Sequence, residues 1–218
     1  MRKVLFEDRK EAGKKLAQAL LKYKNDKSAV VFAVPRGGVV VAEAVCEYLQ
    51  IPLDVVVARK IGAPFNEELA IGAVSPDGDV IINEEAVRVL KVSESYLMAQ
   101  KQNKINEIKE RLKKYRGSDV YESLEGRTAI IVDDGIATGY TVKAAVDFIR
   151  GLNAERVVVA SPVIAPDTLV EFEGLVDEVV YIYSDEPFYA VGQFYKFFPQ
   201  ISDEEVISII KKIKGKGE

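Results

Sequence analysis

The sequence predicts an α/β fold in which a mostly parallel, twisted sheet is flanked by helices on both faces. Short apolar runs alternate along the chain with segments whose apolar residues recur at helical spacing, and this alternation is typical of parallel sheets. The first strong run, residues 29–34, is continuously apolar, as a strand buried on both faces requires. With 218 residues and 48% hydrophobic content, the chain is long enough for one sizeable core, so we expect a single domain over residues 1–218.

The first elements are predicted to alternate between helix and strand. Helical periodicity covers residues 9–23 and 39–49, whereas residues 29–34 and 53–58 have the apolar composition of buried strands. Residues 59–68 are polar and include a glycine and a proline, so they are predicted to form a loop.

A hairpin and a polar helical segment are predicted next. Residues 70–74 and 80–82 flank a Ser-Pro-Asp-Gly turn, which favours a hairpin. Residues 84–116 are strongly helical, in two pieces that divide near Val92, with Ser93 as the N-cap of the second piece. Because the segment is very polar, we interpret it as a solvated helical insertion, and a dimer contact or a lid is the alternative.

The second half of the chain returns to alternating elements. Strands are predicted at residues 128–132, 156–161 and 178–183, with helices at 141–152 and 166–173 between them. Residues 184–200 are irregular and rich in aromatic residues, and we interpret them as a small hood or lid. Ser202 and Glu205 form the capping-box pattern that opens a last helix.

Composition excludes several classes of site. The chain has no histidine and one cysteine, Cys46, which excludes Ser-His and Cys-His nucleophile pairs and an intrachain disulfide. The net charge of −4 lacks the basic footprint of a nucleic-acid-binding protein. Because no apolar run approaches membrane-spanning length and the N-terminus has no signal-peptide pattern, we expect a cytoplasmic protein with no nucleic-acid or membrane partner.

Residues 133–141 carry the strongest functional signal. Ligands bind beyond the carboxyl ends of the strands in open α/β sheets, and Asp133 and Asp134 follow the apolar run 129–132 directly. Carboxylates accept hydrogen bonds from ribose hydroxyls or bind a metal. The glycines and threonines that follow, at the start of a helix, suit a phosphate. The alternative is that the two acids cap a turn.

Residues 129–141 resemble the signature of type I phosphoribosyltransferases: apolar residues, two acids, two apolar positions and a small Thr-Gly-rich loop. The resemblance implies that Asp133 and Asp134 hold the ribose 2′- and 3′-hydroxyls of phosphoribosyl pyrophosphate (PRPP). It also implies that the 5-phosphate lies in a cradle formed by Ala137, Thr138, Gly139, Tyr140 and Thr141. Gly135 also belongs to this loop, but the family usually has an aliphatic residue there, and we expect glycine to loosen the backbone.

A second loop, Pro35-Arg36-Gly37-Gly38, follows the first core strand. Arg36 can bind phosphate oxygens, and Gly37 and Gly38 allow a close backbone approach, although a plain strand-to-helix turn has the same pattern. The loop matches the pyrophosphate loop of the resembled family in residues and chain order. That family often carries a non-proline cis peptide here, so we predict one near the Arg36–Gly37 bond.

Arg59 and Lys60 end the second predicted strand and could neutralise a leaving pyrophosphate, although a solvated strand end is the alternative. In family members, a basic pair at this place precedes a mobile loop that closes over the reaction centre. We therefore take Arg36, Arg59 and Lys60 as the candidate catalytic residues, acting on the charge of the leaving group.

In the resembled family the acceptor pocket lies under a variable hood, so the resemblance implies that the acceptor binds under the aromatic-rich segment at residues 184–200. Flat heterocycles gain from aromatic stacking, so we predict Phe188 or Tyr189 near the ligand, with core packing or a dimer contact as the alternative. The 6-oxopurine branch of the resembled family usually has an acid where this chain has Ala137, which leaves the acceptor open.

The resemblance implies a phosphoribosyltransferase that moves the ribose 5-phosphate of PRPP to a nitrogenous base and releases pyrophosphate. Mg²⁺ is the expected cofactor, held by Asp133 and Asp134 directly or through water. A homodimer is expected. The alternative function is a non-catalytic regulator of the same fold that senses PRPP or a nucleotide.

Overall fold

The computed structural model describes residues 4–215, except for the side chain of Glu68. Its strands are β1 Ala29–Ala33, β2 Leu53–Val55, β3 Arg59–Ala63, β4 Asn66–Val74, β5 Val80–Ile82, β6 Thr128–Val132, β7 Arg156–Val163 and β8 Glu178–Tyr183. Its α-helices are α1 Arg9–Ala19, α2 Gly37–Leu49, α3 Glu84–Val89, α4 Glu94–Arg116, α5 Tyr140–Gly151, α6 Pro166–Glu173 and α7 Asp203–Lys214. None of the helices in this part of the chain is both long and apolar enough to cross a membrane.

The central sheet confirms the predicted fold class. Five strands lie in the order β2-β1-β6-β7-β8, and every neighbouring pair is parallel. Ala33 of β1 is in register with Val132 of β6, and Val132 with Ala160 of β7. The loops that follow β1, β6 and β7 therefore emerge at the same edge of the sheet.

Alternate side chains of each strand enter two separate cores, because successive side chains point to opposite faces. Val31 and Ile130 pack with α1, α2, α7 and the inner side of α4 on one face. Phe32 and Ile131 pack with α5 and with Phe172 of α6 on the other face. This two-sided burial explains the continuous apolar runs in the sequence.

Residues 59–68 differ from the predicted loop, because β3 and most of β4 form an antiparallel hairpin. The inward-facing Ile61 and Ala63 are buried, as is Ile71 on the partner strand. Burial of these alternate side chains favours a strand, even though polar residues lie between them on the outer side. Pro64 and Phe65 form the turn. The predicted hairpin further along the chain is confirmed, since β4 also pairs with β5.

The helices at residues 84–116 begin and break where the sequence predicts. Asn83 caps α3, and the Ser93 hydroxyl accepts the Tyr96 N–H at the start of α4. Helix α3 buries no residue. Helix α4, in contrast, buries Ile108, Leu112 and Tyr115 in the main core, so its inner side is part of the packed structure.

Residues 184–200 pack against the N-terminal segment. They contain a cis bond between Glu186 and Pro187 and a short 3-10 helix, Val191–Phe194. Phe194 and Tyr195 form a small apolar cluster with Phe6 near the end of β7. Helix α7 then begins with the capping box that the sequence predicts.

Candidate functional site

Asp133 and Asp134 lie at the sheet edge where β6 ends. The Asp133 N–H donates to the Ala160 carbonyl over 3.3 Å, which extends the β6–β7 pairing by one bond. The Asp133 carboxylate accepts the Asp134 N–H over 2.8 Å. Burial and the neighbouring Asp134 carboxylate raise the pKa of Asp133 well above its usual range. A cation or hydroxyl donors would therefore relieve an unfavourable charge here.

Asp134 is paired with Arg9, which the sequence analysis missed. Arg9 Nε lies 2.6 Å from Asp134 Oδ2, and the two side chains are 8% and 14% exposed. Arg9 Nη1 also donates to the Pro199 carbonyl over 2.8 Å, and the guanidinium carbon lies 3.7 Å from the centroid of the Phe198 ring. The Tyr195 hydroxyl donates to the Asp134 carbonyl over 2.6 Å. Arg9 and Tyr195 thus hold the side chain and the backbone of Asp134 in place.

The glycines after β1 bring their loop against these acids. A Cβ atom on Gly37 would lie 1.8 Å from Asp134 Oδ2, and one on Gly38 would lie 2.7 Å from the Val132 carbonyl oxygen. The two backbones can therefore come this close only because Gly37 and Gly38 have no side chains. The cis peptide is Pro35–Arg36, one bond before the predicted position. The Arg36 side chain is 38% exposed, and its Nη1 lies 3.9 Å from Asp203 Oδ1.

Residues 136–141 form a braced turn into α5. The Ile136 N–H donates to the Val163 carbonyl over 2.9 Å, and the Thr168 hydroxyl donates to the Ala137 carbonyl. Gly139 has φ +73°, and a Cβ atom there would lie 2.8 Å from side-chain atoms of Thr168 and Phe172. This combination of a left-handed φ and close packing requires glycine.

The N-terminus of α5 is open to an anion. No side chain caps this helix, which leaves first-turn N–H groups available at its positive end. Thr138 is exposed and Thr141 is half-buried, so both hydroxyls lie at this turn. The Tyr140 ring instead packs beside Ala58, Ala73 and Ala144.

Gly135 makes room for the aromatic-rich segment. A Cβ atom on Gly135 would lie 2.2 Å from Cγ1 of Val191 and 2.9 Å from Cγ2 of Val163. Its φ is not among the positive values found in the described chain. Close packing therefore explains why glycine stands here, and the expected looser backbone stays a prediction.

Arg59 lies on β3, where an acid of α4 holds it. Its Nε and Nη2 atoms are both 3.0 Å from Glu107 Oε2. Lys104 Nζ binds the other oxygen of Glu107 over 2.7 Å. Although burial acts in the opposite direction, Lys104 and Arg59 lower the pKa of Glu107. Lys60 is exposed on the same strand. The structure thus brings Gly37 and Gly38 to the paired acids, whereas the Arg36 side chain faces Asp203 and Arg59 contacts α4.

Phe188 and Tyr189 have different environments. The Phe188 ring lies 4.9 Å from the Phe194 ring and packs on the small apolar cluster. Tyr189 is 85% exposed, and its N–H donates to Gln193 Oε1 over 2.8 Å. Phe188 therefore matches the core-packing alternative, while the Tyr189 ring is free to contact a ligand.

The residues fit a weakly coordinated Mg²⁺. Within residues 4–215, no group of three or more acidic, histidine or cysteine side chains could enclose a metal. Magnesium keeps several waters and takes one or two carboxylates together with substrate phosphates. Asp133 and Asp134 would supply the two carboxylates, and burial beside Asp134 raises the pKa of Asp133, which is consistent with a site that gains from a bound cation.

Curated proteins are similar to this chain in sequence. Two curated proteins of Mycobacterium tuberculosis, from strains CDC 1551 and H37Rv and both named "Putative phosphoribosyl transferase", are each 43% identical over 208 residues. The match covers 95% of this chain and 47% of each relative, so the chain spans about half their length.

Solved structures agree with this fold. The protein TT1426 from Thermus thermophilus superposes with a TM-score of 0.77 at 36% identity, over 96% of this chain and 99% of that one. A purine phosphoribosyltransferase from Pyrococcus horikoshii has the same fold, with a TM-score of 0.52 at 20% identity over 93% of this chain and 99% of that one.

A family model tests the resemblance seen at residues 129–141. The model described as "Phosphoribosyl transferase domain" matches residues 6–189. This span contains Arg9, the Arg36-Gly-Gly loop, the paired aspartates and the turn into α5. The chain therefore belongs to the phosphoribosyl transferase domain family.

Proposed function

We propose that the chain transfers the ribose 5-phosphate of PRPP to a ring nitrogen of a nucleobase-like acceptor and releases pyrophosphate. The observation that carries this proposal is the contact of Gly37 and Gly38 with Asp133 and Asp134. That contact joins a loop suited to pyrophosphate to a pair of acids suited to ribose. Family membership supports the same assignment.

The three parts of PRPP each have a candidate site. The 5-phosphate would lie on the uncapped first turn of α5, with hydrogen bonds from Thr138, Thr141 and nearby N–H groups. Asp133 and Asp134 would accept the ribose hydroxyls. The pyrophosphate would contact Arg36 and the backbone of the adjacent glycines.

Asp133 and Asp134 would hold Mg²⁺, directly or through water. When bound, the ion neutralises negative charge on the pyrophosphate and steadies it as a leaving group. The protein's own contribution is orientation, because the paired acids fix the ribose while the first turn of α5 fixes its phosphate.

The transfer requires little acid–base chemistry. The bond between C1 and the pyrophosphate oxygen breaks with its electron pair going to pyrophosphate, and a ring nitrogen forms the new bond from the opposite face. The nitrogen's proton passes to water. Arg36 would stabilise the charge on the leaving group. Arg59 and Lys60 would add positive charge if the β3–β4 hairpin closed over the loop at residues 35–38, a movement in which Arg59 would leave Glu107.

The acceptor would stack near the exposed Tyr189 ring in the aromatic-rich segment that follows β8. The proposal also includes a homodimer and a cytoplasmic location. Phe65, which is 99% exposed at the β3–β4 turn, and Met98, which is 65% exposed on α4, give the dimer apolar surface to cover. Light scattering after size exclusion would test this part.

A pyrophosphate-release assay tests the proposed function. The protein is mixed with Mg²⁺, PRPP and a panel of purine and pyrimidine bases, and pyrophosphate is measured for each base. Release that depends on one base or a few bases is expected. PRPP binding without release for any base would instead support the PRPP-sensing regulator.

A further inference from the structure

Arg9 joins three parts of the chain that lie far apart in sequence. It is the first residue of α1 and is buried. Its Nε binds the Asp134 carboxylate, 125 residues away, and its Nη1 binds the Pro199 carbonyl, 190 residues away. The face of its guanidinium lies on the Phe198 ring. Few side chains other than arginine can make these three contacts together.

The ion pair with Arg9 restricts the orientation of the Asp134 carboxylate. Arg9 Nε binds Oδ2 of Asp134, and the neighbouring Asp133 side chain also interacts with this carboxylate, so the arginine helps to set the direction in which Asp134 faces a hydroxyl donor. Without Arg9, the Asp133 and Asp134 carboxylates would lie side by side, and Asp134 Oδ2 would lose the cation that is paired with it. The low exposure of both partners makes the geometry rigid, because water cannot replace the contact easily.

The same guanidinium fixes the segment beside the ribose loop. We call residues 191–199 the closing segment. Val191 packs on Gly135, Tyr195 binds the Asp134 carbonyl, and Pro199 accepts from Arg9. The closing segment therefore contacts the loop at residues 133–141 at two places and contacts Arg9 at a third.

We propose that Arg9 is a positioning residue that orients the Asp134 carboxylate for the ribose of PRPP and holds the closing segment in place beside it. This inference rests on the proposed function. Arg9 itself touches no substrate atom in this account, and it acts through Asp134 and Pro199.

Arg116 provides a matched control. Its Nε lies 2.7 Å from Asp54 Oδ1, and its guanidinium carbon lies 3.9 Å from the centroid of the Tyr121 ring. Its Nη1 donates to the carbonyls of Ser118 and Val120. This arginine has the same kind of partners as Arg9, but Asp54 lies on β2 and no candidate ligand site includes it.

The experiment compares Arg9→Ala, Arg9→Lys and Arg116→Ala in the full chain. PRPP binding is measured by calorimetry with Mg²⁺, and KM for PRPP and kcat are measured with the best acceptor base. We expect Arg9→Ala to weaken PRPP binding by about tenfold or more and to raise KM for PRPP by a similar factor. Arg9→Lys keeps the charge but loses the second hydrogen bond and the stacking, so it should recover only part of the affinity.

Chemical rescue separates positioning from general destabilisation. Millimolar guanidinium, far below denaturing concentrations, should restore PRPP binding to Arg9→Ala by filling the vacated site, whereas methylammonium should restore less. Arg116→Ala should lose thermal stability but keep its PRPP affinity within about twofold of the wild type.

The outcomes distinguish a failure of the proposed role of Arg9 from a failure of the proposed function. Wild-type PRPP affinity in Arg9→Ala, or an equal loss in Arg116→Ala, would overturn the role of Arg9 and leave the proposed function intact. A wild-type protein that does not bind PRPP would overturn both. If Arg9→Ala does not fold, Arg9→Lys and Phe198→Leu take its place, and unchanged PRPP affinity in both would overturn the inference.

Discussion

The backbone of Gly37 approaches Asp134 so closely that a Cβ atom on Gly37 would lie 1.8 Å from Asp134 Oδ2. The same atom would lie 2.9 Å from Arg9 Nε. Residues from α1, from the loop after β1 and from the loop after β6 therefore share one small volume. A methyl group at Gly37 must displace the Asp134 carboxylate and thereby disturb its contact with Arg9.

Gly37→Ala should therefore damage the ribose site. We expect the substitution to weaken PRPP binding by about tenfold or more, because Asp134 must leave its position. Gly151→Ala is the control, since a Cβ atom on Gly151 meets no atom within 4 Å. That control should be neutral or slightly stabilising. Calorimetric titration of both variants checks this, and equal PRPP affinity in the two would contradict it.

Asp133→Asn should stabilise the fold above the pKa of Asp133. Because the folded pKa lies above the unfolded value of about 3.9, the folded chain binds the extra proton, and stability falls as pH rises from the unfolded pKa to the folded one. Asparagine avoids this loss of stability, which is about 1.4 kcal/mol for each unit by which the folded pKa exceeds the unfolded pKa. Urea unfolding with a chelator present measures the difference.

The gain from Asp133→Asn should disappear in acid, below the unfolded pKa of about 3.9, where Asp133 is protonated in both states. A variant that is less stable than the wild type at neutral pH would contradict this prediction. The PRPP affinity of the same variant should fall, because a neutral amide replaces an acceptor-only carboxylate.

Asp134→Asn should have the opposite effect on stability. The substitution removes the partner of a buried arginine, and breaking such a pair costs about 3–5 kcal/mol. Unfolding of Asp133→Asn and Asp134→Asn under identical conditions should move the denaturation midpoints in opposite directions. Equal losses for the two variants would show that the two acids are equivalent, contrary to the structure.

Val191 and Gly135 should couple in a double-mutant cycle. Gly135→Ala places a methyl group against Val191 and Val163, and overpacking of this kind costs about 1–3 kcal/mol. Val191→Ala should remove part of that cost, so the double variant should be more stable than additivity predicts. Strict additivity of the unfolding free energies would show that the two residues do not touch.

Substitution of Phe188 should lower stability, whereas substitution of Tyr189 should weaken acceptor binding. Phe188→Ala removes a partly buried ring from the cluster around Phe194 and should destabilise the fold by less than the roughly 3–5 kcal/mol that a fully buried phenylalanine costs. Tyr189→Ala removes an exposed ring, so stability should stay within about 0.5 kcal/mol while KM for the acceptor rises. An unchanged acceptor KM in Tyr189→Ala would place the acceptor elsewhere.

The central sheet could be predicted from the sequence because strands buried on both faces leave continuous apolar runs. The loop of paired acids could be found for a related reason, since it follows such a run directly. The β3–β4 hairpin was missed because its inward residues, Ile61 and Ala63, are few and stand among polar ones.

The contacts of Arg9 and Gly135 could not be predicted in the same way. Arg9 lies 125 residues from Asp134, and no local spacing reveals a pair at that separation. The reason for Gly135 lies in Val191, a residue of an irregular segment with no periodic pattern. Such contacts depend on the tertiary fold, which brings α1 and the closing segment to the end of β6.

Calorimetric titration of PRPP in the presence of Mg²⁺ tests the central claim most directly, using the wild type and the Asp133→Asn/Asp134→Asn double variant. The wild type should bind PRPP saturably at one site per chain, and the double variant, once shown to be folded, should show no measurable binding. Equal affinity in the two proteins, or a wild type that does not bind PRPP, would contradict the account.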